Sequence, residues 1–253
     1  MDPATYARAT AGILQMRKLE VQSNNLANIN TVGFKGQFIV PEKQDFDDTL
    51  AHMLGFDSGS SVTTDPSQVE GVGAVEAQTD FSLGPIHNTA NPLDVALRSA
   101  NEFFVVNTPD GPLYTRAGNF TLNQNGDLVT SDGFPVQGDG GTINVTGPDV
   151  SISSDGSVRS LGQTFGRLQV VKFEKTDTLE RVAGARFRIK DGGAQPTQVA
   201  SAVLEPRALE MSNVSAITGM IDLIQTNRAF EAYTKAAQTI DQLNQISTTK
   251  LAS

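Results

Sequence analysis

The side chains able to do chemistry in this chain are few and scattered. His52 and His87 lie far apart with no further ligand at metal spacing beside either, so both read as surface residues. Asp45, Asp47 and Asp48 crowd carboxylates together as a calcium loop would. The glycine and distal glutamate of such a loop are missing, and the cluster reads instead as the acidic start of a short helix. Gly138-Asp139-Gly140-Gly141 has the glycine density of a phosphate cradle. No Lys-Ser/Thr pair follows it and no helical pattern begins there, so a hairpin turn is the expectation. Asn119-Phe120-Thr121, Asn144-Val145-Thr146 and Asn213-Val214-Ser215 match the glycosylation tripeptide, a pattern that arises often by chance. No spacing singles out a carboxylate pair for glycosidic cleavage, and Trp 0 removes the usual platform for a sugar ring. Cys 0 excludes a disulfide framework, a thiolate metal site and a cysteine nucleophile together. With two histidines there is also almost no material for a Ser-His-Asp arrangement. The reading is of no catalytic residue, no metal ligand and no cofactor.

Composition points the same way. The chain has 253 residues, 38% of them hydrophobic and only 6% aromatic, with Phe 13 and Tyr 3. That is enough for one large domain or two small ones, with few large anchors for a dense core. The net charge of -9 argues against nucleic acid as a partner. Residues 1–40 carry a net of +2 and residues 206–253 are neutral, which leaves -11 for residues 41–205. No stretch approaches the ~20 apolar residues of a membrane span. Arg17, Lys18 and Glu20 interrupt any signal-peptide core near the N-terminus. That pattern fits a cytoplasmic protein, and equally one exported by a route that reads no cleavable signal.

Three textures position whatever function the chain has. Residues 3–30 read helical: Tyr6, Ala9, Ile13 and Met16 fall at steps of three and four, and Leu19, Leu26 and Ile29 continue the face after one slip in phase. Gly12 interrupts at a cost of roughly 1 kcal/mol relative to Ala. Asn28-Ile29-Asn30-Thr31-Val32-Gly33 supplies stop and turn residues, with Gly33 suited to positive φ. From Asn91 to Glu205, strand-length apolar runs alternate with Asn125-Gly126, Asp132-Gly133, Asp155-Gly156 and Asp191-Gly192, the signals of an antiparallel all-β body. The clearest hairpin runs from Asn119 through Asn125-Gly126 to Val129. Leu168–Phe173 and Phe187–Ile189 are further strands. Between these textures, residues 35–90 are mixed, with a short amphipathic helix expected from Asp45 to Leu54 and His87 in a loop. Helical periodicity returns at Met211, with Ser212 or Asn213 able to cap the first turn. Ile217, Met220, Ile221 and Ile224 form one stripe; Leu223, Phe230, Tyr233, Ala237, Ile240 and Leu243 form another.

Both ends are thus long, amphipathic and low in charge. Two such helices pairing with each other bury only part of their apolar surface and are marginal alone in water. Periodicity leaves two solutions open: the helices finish folding against other copies of the chain, or they form a layer on the sheet of one α+β domain.

One segment is far more specific. Asn24-Asn25-Leu26-Ala27-Asn28-Ile29-Asn30-Thr31-Val32-Gly33-Phe34-Lys35 closely resembles the signature of bacterial flagellar rod and hook proteins. Asn91–Leu97, Phe103–Val106, Tyr114–Phe120, Asn125–Val129 and Gly133–Val136 resemble the family's β core. Met211-Ser212-Asn213-Val214, with Asn227-Arg228-Ala229-Phe230-Glu231 beyond it, is similar to its C-terminal segment. Within the family, Met1-Asp2-Pro3-Ala4-Thr5-Tyr6 looks more like the proximal-rod members than the distal-rod ones. Glu42 to Val75 matches least.

The resemblance implies a structural subunit of the axial rod, without catalysis. It implies export through the flagellar type III apparatus without a cleaved signal, and assembly in the periplasm with copies of itself and other rod proteins. The expected partners include no nucleic acid, no small-molecule substrate and no inserted membrane segment. The fold it implies is α+β: terminal helices pairing as an antiparallel coiled coil around the channel, and a β body as outer shell. In those terms residues 1–34 and 206–253 are the helical inner domain, 35–90 a variable connection and 91–205 the β domain. Ile13, Met16, Leu19 and Leu26 would pack on Ile217, Ile221, Ile224, Phe230, Tyr233 and Ile240, within or between subunits. Asn24, Asn25 and Asn28 would fix register there, and Gly33 and Phe34 would turn the chain out of the helix and anchor it. A secreted β binding module with helical tails, or an enzyme, are the competing classes.

Overall fold

The computed structural model describes residues 3–40, 43–45, 70–72 and 76–251, with side-chain surroundings for residues 11–40, 76–239 and 242. The chain forms two compact units. One comprises residues 1–26, 37–78 and 216–253, the other residues 27–36 and 79–215.

The first unit holds two long helices, Pro3–Ala27 and Ala216–Leu251. It also holds the strand Gln37–Val40 paired with Glu76–Thr79, and Lys43–Asp45 paired with Glu70–Val72. The short helix expected from Asp45 to Leu54 lies outside the described residues beyond Asp45, which sits in a strand; His52 lies outside them too. The C-terminal helix begins five residues later than its apolar period predicts, at Ala216. Ser212 and Asn213 therefore cap nothing in it.

The second unit is built on a six-stranded antiparallel sheet. Its strands run in the order Leu179–Ala183, Arg186–Ile189, Gly111–Thr115, Glu102–Thr108, Val170–Lys172, Thr197–Gln198. The run Phe103-Phe104-Val105-Val106 is buried throughout because its strand is covered on both faces. Phe104 belongs to a core with Phe120, Leu128, Val136, Val158, Leu168 and Val170. Phe103 and Val105 belong to another with Phe81, Tyr114, Val171, Phe173 and Phe187. Aromatic rings meet edge to face in both, Phe104 with Phe120 at 5.2 Å and Phe103 with Phe173 at 5.5 Å, the geometry their quadrupoles favour.

The turn chemistry is as expected. Thr121–Leu122 pairs with Leu128–Val129 around Asn125-Gly126, and Gln137–Gly138 pairs with Gly141–Thr142. The β body is larger than its strand pattern suggested, reaching from Ile86 to Glu210. The strand Ala208–Glu210 pairs with Ile86–Asn88, so His87 lies in a strand and not in a loop. The paired residues lie far apart in the chain, so no local pattern announces the pairing.

Candidate assembly site

On the C-terminal helix the partly or fully covered residues include Gly219, Leu223, Thr226, Phe230, Tyr233 and Ala237, at alternating steps of four and three. That is the 3.5-residue repeat of a helix lying along a partner. The N-terminal helix covers Ala11, Leu14, Lys18, Val21 and Asn25 at the same alternation. A Cβ placed on Gly12 would lie 3.0 Å from Tyr233 Cε1. The glycine that costs helix propensity thus makes room for an aromatic ring. Further along, Val21, Gln22 and Asn25 line one groove with Gln37, Asp222, Gln225 and Thr226.

Other apolar residues of these helices face outward. Ile13 is 57% exposed, Met16 52%, Ile217 74%, Ile221 49% and Ile224 51%. Leu19 and Leu26 are half-buried, Asn24 is exposed, and Phe230 and Tyr233 are half-buried on the covered face. Ile240 and Leu243 belong to the helix, but their side chains lie outside the described residues. The stripes therefore separate. Ile217, Ile221 and Ile224 stay open while Leu223, Phe230 and Tyr233 are covered.

Asn25 has a definite task. Its Nδ2 donates to Gln37 O at 2.7 Å, and its Oδ1 accepts from Gln37 N–H at 2.9 Å. One side-chain amide imitates a strand neighbour and ties the helix to Gln37–Val40. Asn28 Oδ1 accepts from the Thr31 hydroxyl at 3.2 Å, closing the turn after the helix.

In the second unit Gly33 has φ +67, and a Cβ there would lie 2.4 Å from Ala117 N. Its N–H donates to Glu210 O at 2.7 Å. Phe34 follows, fully buried. The Arg181 guanidinium sits 4.2 Å from the Phe34 ring and donates to Lys35 O. Burial pulls its pKa down to about 10.

Lys35 ends this turn in a fully buried triad with Glu210 and Arg116. Glu210 Oε1 accepts from Lys35 Nζ at 2.6 Å and from Gly84 N–H at 2.9 Å. Its Oε2 accepts from Arg116 Nε at 2.9 Å and Nη2 at 2.6 Å. Two cations share one carboxylate, so backbone carbonyls take the surplus: Ser82 O accepts from Lys35, and Ser99 O and Glu102 O from Arg116. Burial lowers the pKa of both cations, and Glu210 opposes the shift. Asn213 completes the knot. Its Oδ1 accepts from Gly36 N–H at 2.7 Å, and its Nδ2 donates to Asp80 O and the Ser82 hydroxyl. Ser212 is buried and accepts from Val214 N–H at 3.2 Å; Val214 is half-buried.

Lys35 and Arg116 stand inside the quoted motifs, but local pattern assigned them no role, and Glu210 escaped notice. The available signal was a charged residue inside each of three otherwise apolar or small-residue runs. Among the described residues no group of carboxylates and histidines is placed to hold a metal, and no helix is long and apolar enough to cross a membrane.

Residues 6–35 match the family described as "Flagella basal body rod protein", and residues 205–250 "Flagellar basal body rod FlgEFG protein C-terminal". Residues 99–160 match "Flagellar hook protein FlgE/F/G D1 domain". The rod protein FlgG of Bacillus subtilis (strain 168) is 32% identical over 90% of this chain and 91% of its own length. The chain belongs to the flagellar basal-body rod family. FlgG of Caulobacter vibrioides is 33% identical over 96% of this chain and 97% of its own length. FlgF of Salmonella typhimurium is 31% identical over 96% and 95%. This rod-family chain is a structural protein of the flagellum and not an enzyme. Its three matched segments carry the three arms of the buried triad, since Lys35, Arg116 and Glu210 fall one in each.

Proposed function

We propose that the chain is a subunit of the proximal rod, FlgF-like, which joins copies of itself and other rod proteins into a helical stack that carries torque. The terminal helices line the export channel of that stack as an antiparallel coiled-coil layer. The subunit reaches the periplasm through the flagellar type III apparatus. The observation that carries this reading is the set of apolar side chains Ile13, Met16, Ile217, Ile221 and Ile224, each about half exposed or more on helices that already cover one other stripe. Leaving this much apolar side chain in water is unfavourable by about 25 cal/mol per Å², and a repeated heterologous contact removes it. The antiparallel sense is supported by Gly12 lying against Tyr233 while residues near 22 share a groove with residues near 225.

The opening Met1–Tyr6 favours the proximal rod. The distal rod is the second reading, favoured by the 32% and 33% identities to FlgG proteins. Complementation separates them. The chain is expected to restore motility to a strain lacking its proximal-rod protein and not to one lacking the distal-rod protein; the reverse result assigns it to the distal rod. Ile221→Asp is expected to abolish rescue with the β-sheet circular dichroism signal intact. Full motility from that variant would remove the helix stripe as the assembly surface.

A further inference from the structure

The hairpin Ser157–Ser160 to Gln163–Arg167 turns through Leu161-Gly162, with φ 50 and 80. Positive φ at both positions is a tight two-residue hairpin turn whose first site suits Asn or Asp. A leucine in the left-handed region is strained, because its Cβ crowds the following carbonyl oxygen. Leu161 is also 75% exposed, more than any other large hydrophobic among the described residues. Backbone strain and an apolar side chain in water thus coincide at one tip.

The same unit carries a groove of about 460 Å³. Buried Val105, Tyr114 and Val171 form its floor, with Gln137, Gln169 and Gln198 at its rim. Such a lining suits a neutral turn bearing one aliphatic side chain: the floor takes the methyl groups and the amides meet the turn's backbone. Charge agrees at the margins. Arg159 flanks the hairpin tip on an exposed position, and the exposed Asp139 carboxylate accepts from Gln198 Nε2 at 2.8 Å on the rim.

Hairpin and groove lie on opposite faces of the six-stranded sheet. Val158 of the hairpin packs in the core of Phe104 and Val170, whereas Val105, Tyr114 and Val171 belong to the core of Phe103. One copy cannot bring the two together, and a second copy can. We propose that the Leu161-Gly162 tip of one subunit seats in the Val105–Tyr114–Val171 groove of a neighbouring copy, with Arg159 facing Asp139. Because the two faces differ, the contact is heterologous and repeats without closing on itself. The proposal rests on the reading that copies of the chain assemble, and adds the lateral contact between their β units.

The native chain has Cys 0, so introduced thiols are unique. Full-length Leu161→Cys and Gln198→Cys are mixed, concentrated until they pellet, and treated with a short bismaleimide. The expected product is the mixed 161–198 dimer, at least fivefold over either homodimer, and a ladder from the double variant. Leu161→Asn, which suits the turn, is expected to raise the concentration needed for pelleting about tenfold while leaving the thermal midpoint unchanged or higher. Pelleting without the mixed dimer overturns this contact and leaves assembly standing. Neither pelleting nor dimer overturns both. A cross-link in cells from position 161 to a different basal-body protein, and none to position 198, overturns the second copy as occupant.

Discussion

Arg116 and Glu210 are joined through two hydrogen bonds from one guanidinium to one carboxylate oxygen, 2.9 Å from Nε and 2.6 Å from Nη2, with neither side chain exposed. Lys35 approaches the other oxygen at 2.6 Å. Three distant stretches of chain are locked at one point that water does not reach, which makes the β unit depend on all three.

The triad predicts a ranking of damage. Glu210→Gln leaves two buried cations facing a neutral amide and is expected to cost about 3–5 kcal/mol, the range for breaking a buried charge pair. Arg116→Met leaves a balanced Lys35–Glu210 pair but strips Ser99 O and Glu102 O of their donor, and falls next. Lys35→Met leaves the balanced Arg116–Glu210 pair and costs least. Urea unfolding followed by far-UV circular dichroism gives the order; Lys35→Met as the worst of the three would contradict it.

Asn25→Ala removes both hydrogen bonds to the Gln37 backbone. Each hydrogen bond lost contributes about 0.5–1.5 kcal/mol. The local readout is amide hydrogen exchange at Gln37, expected to speed up at least tenfold while the amides of Phe103–Val106 hold their protection. Equal acceleration at both places would mean a global effect and not a lost tie.

Gly33→Ala combines positive φ with a Cβ that would sit 2.4 Å from Ala117 N. Backbone cannot yield as a flexible side chain would, so the loss is expected to exceed the ~1 kcal/mol of the dihedral alone. Calorimetry should show a thermal midpoint lowered by several degrees. Gly140→Ala, where nothing lies within 4 Å, serves as the neutral control.

Asp127 contributes a pH dependence at the acid end. Hydrogen bonds from Asn144 and Asn123 to its carboxylate hold its pKa below the ordinary 3.8. A folded pKa below the unfolded one means the stabilising contribution is complete above the ordinary value and is lost as pH falls through the folded value. Carboxyl-carbon NMR of Asp127 should titrate below 3.8, and Asn144→Ala should move the midpoint back up toward it. An unmoved midpoint would dissociate the shift from that bond.

Much of the fold was legible because it is written in short-range pattern. Steps of three and four from Tyr6 to Met16 specify a helix whatever lies beside it, and Asn125-Gly126 specifies a turn through the conformational freedom of two residues. The motif from Asn24 to Lys35 carried the family for the same reason: it is one continuous string. His87 and the segment to Glu210 were not legible because strand pairing there joins stretches far apart in sequence, which no local window contains.

The amino-acid sequence by itself determined the helical ends, the alternating strands and turns, the lack of thiol chemistry and the resemblance to rod proteins. Tertiary structure alone decided which helix stripe is covered and which stays open, since Ile221 and Leu223 are equally apolar and differ only in what lies beside them. It alone set the Asn25 and Asn213 amides against backbone from other segments. It also placed Lys35, Arg116 and Glu210 together. Charge and hydrogen bonding act over a few ångströms of space, and only the folded chain brings residues so distant in sequence within that reach.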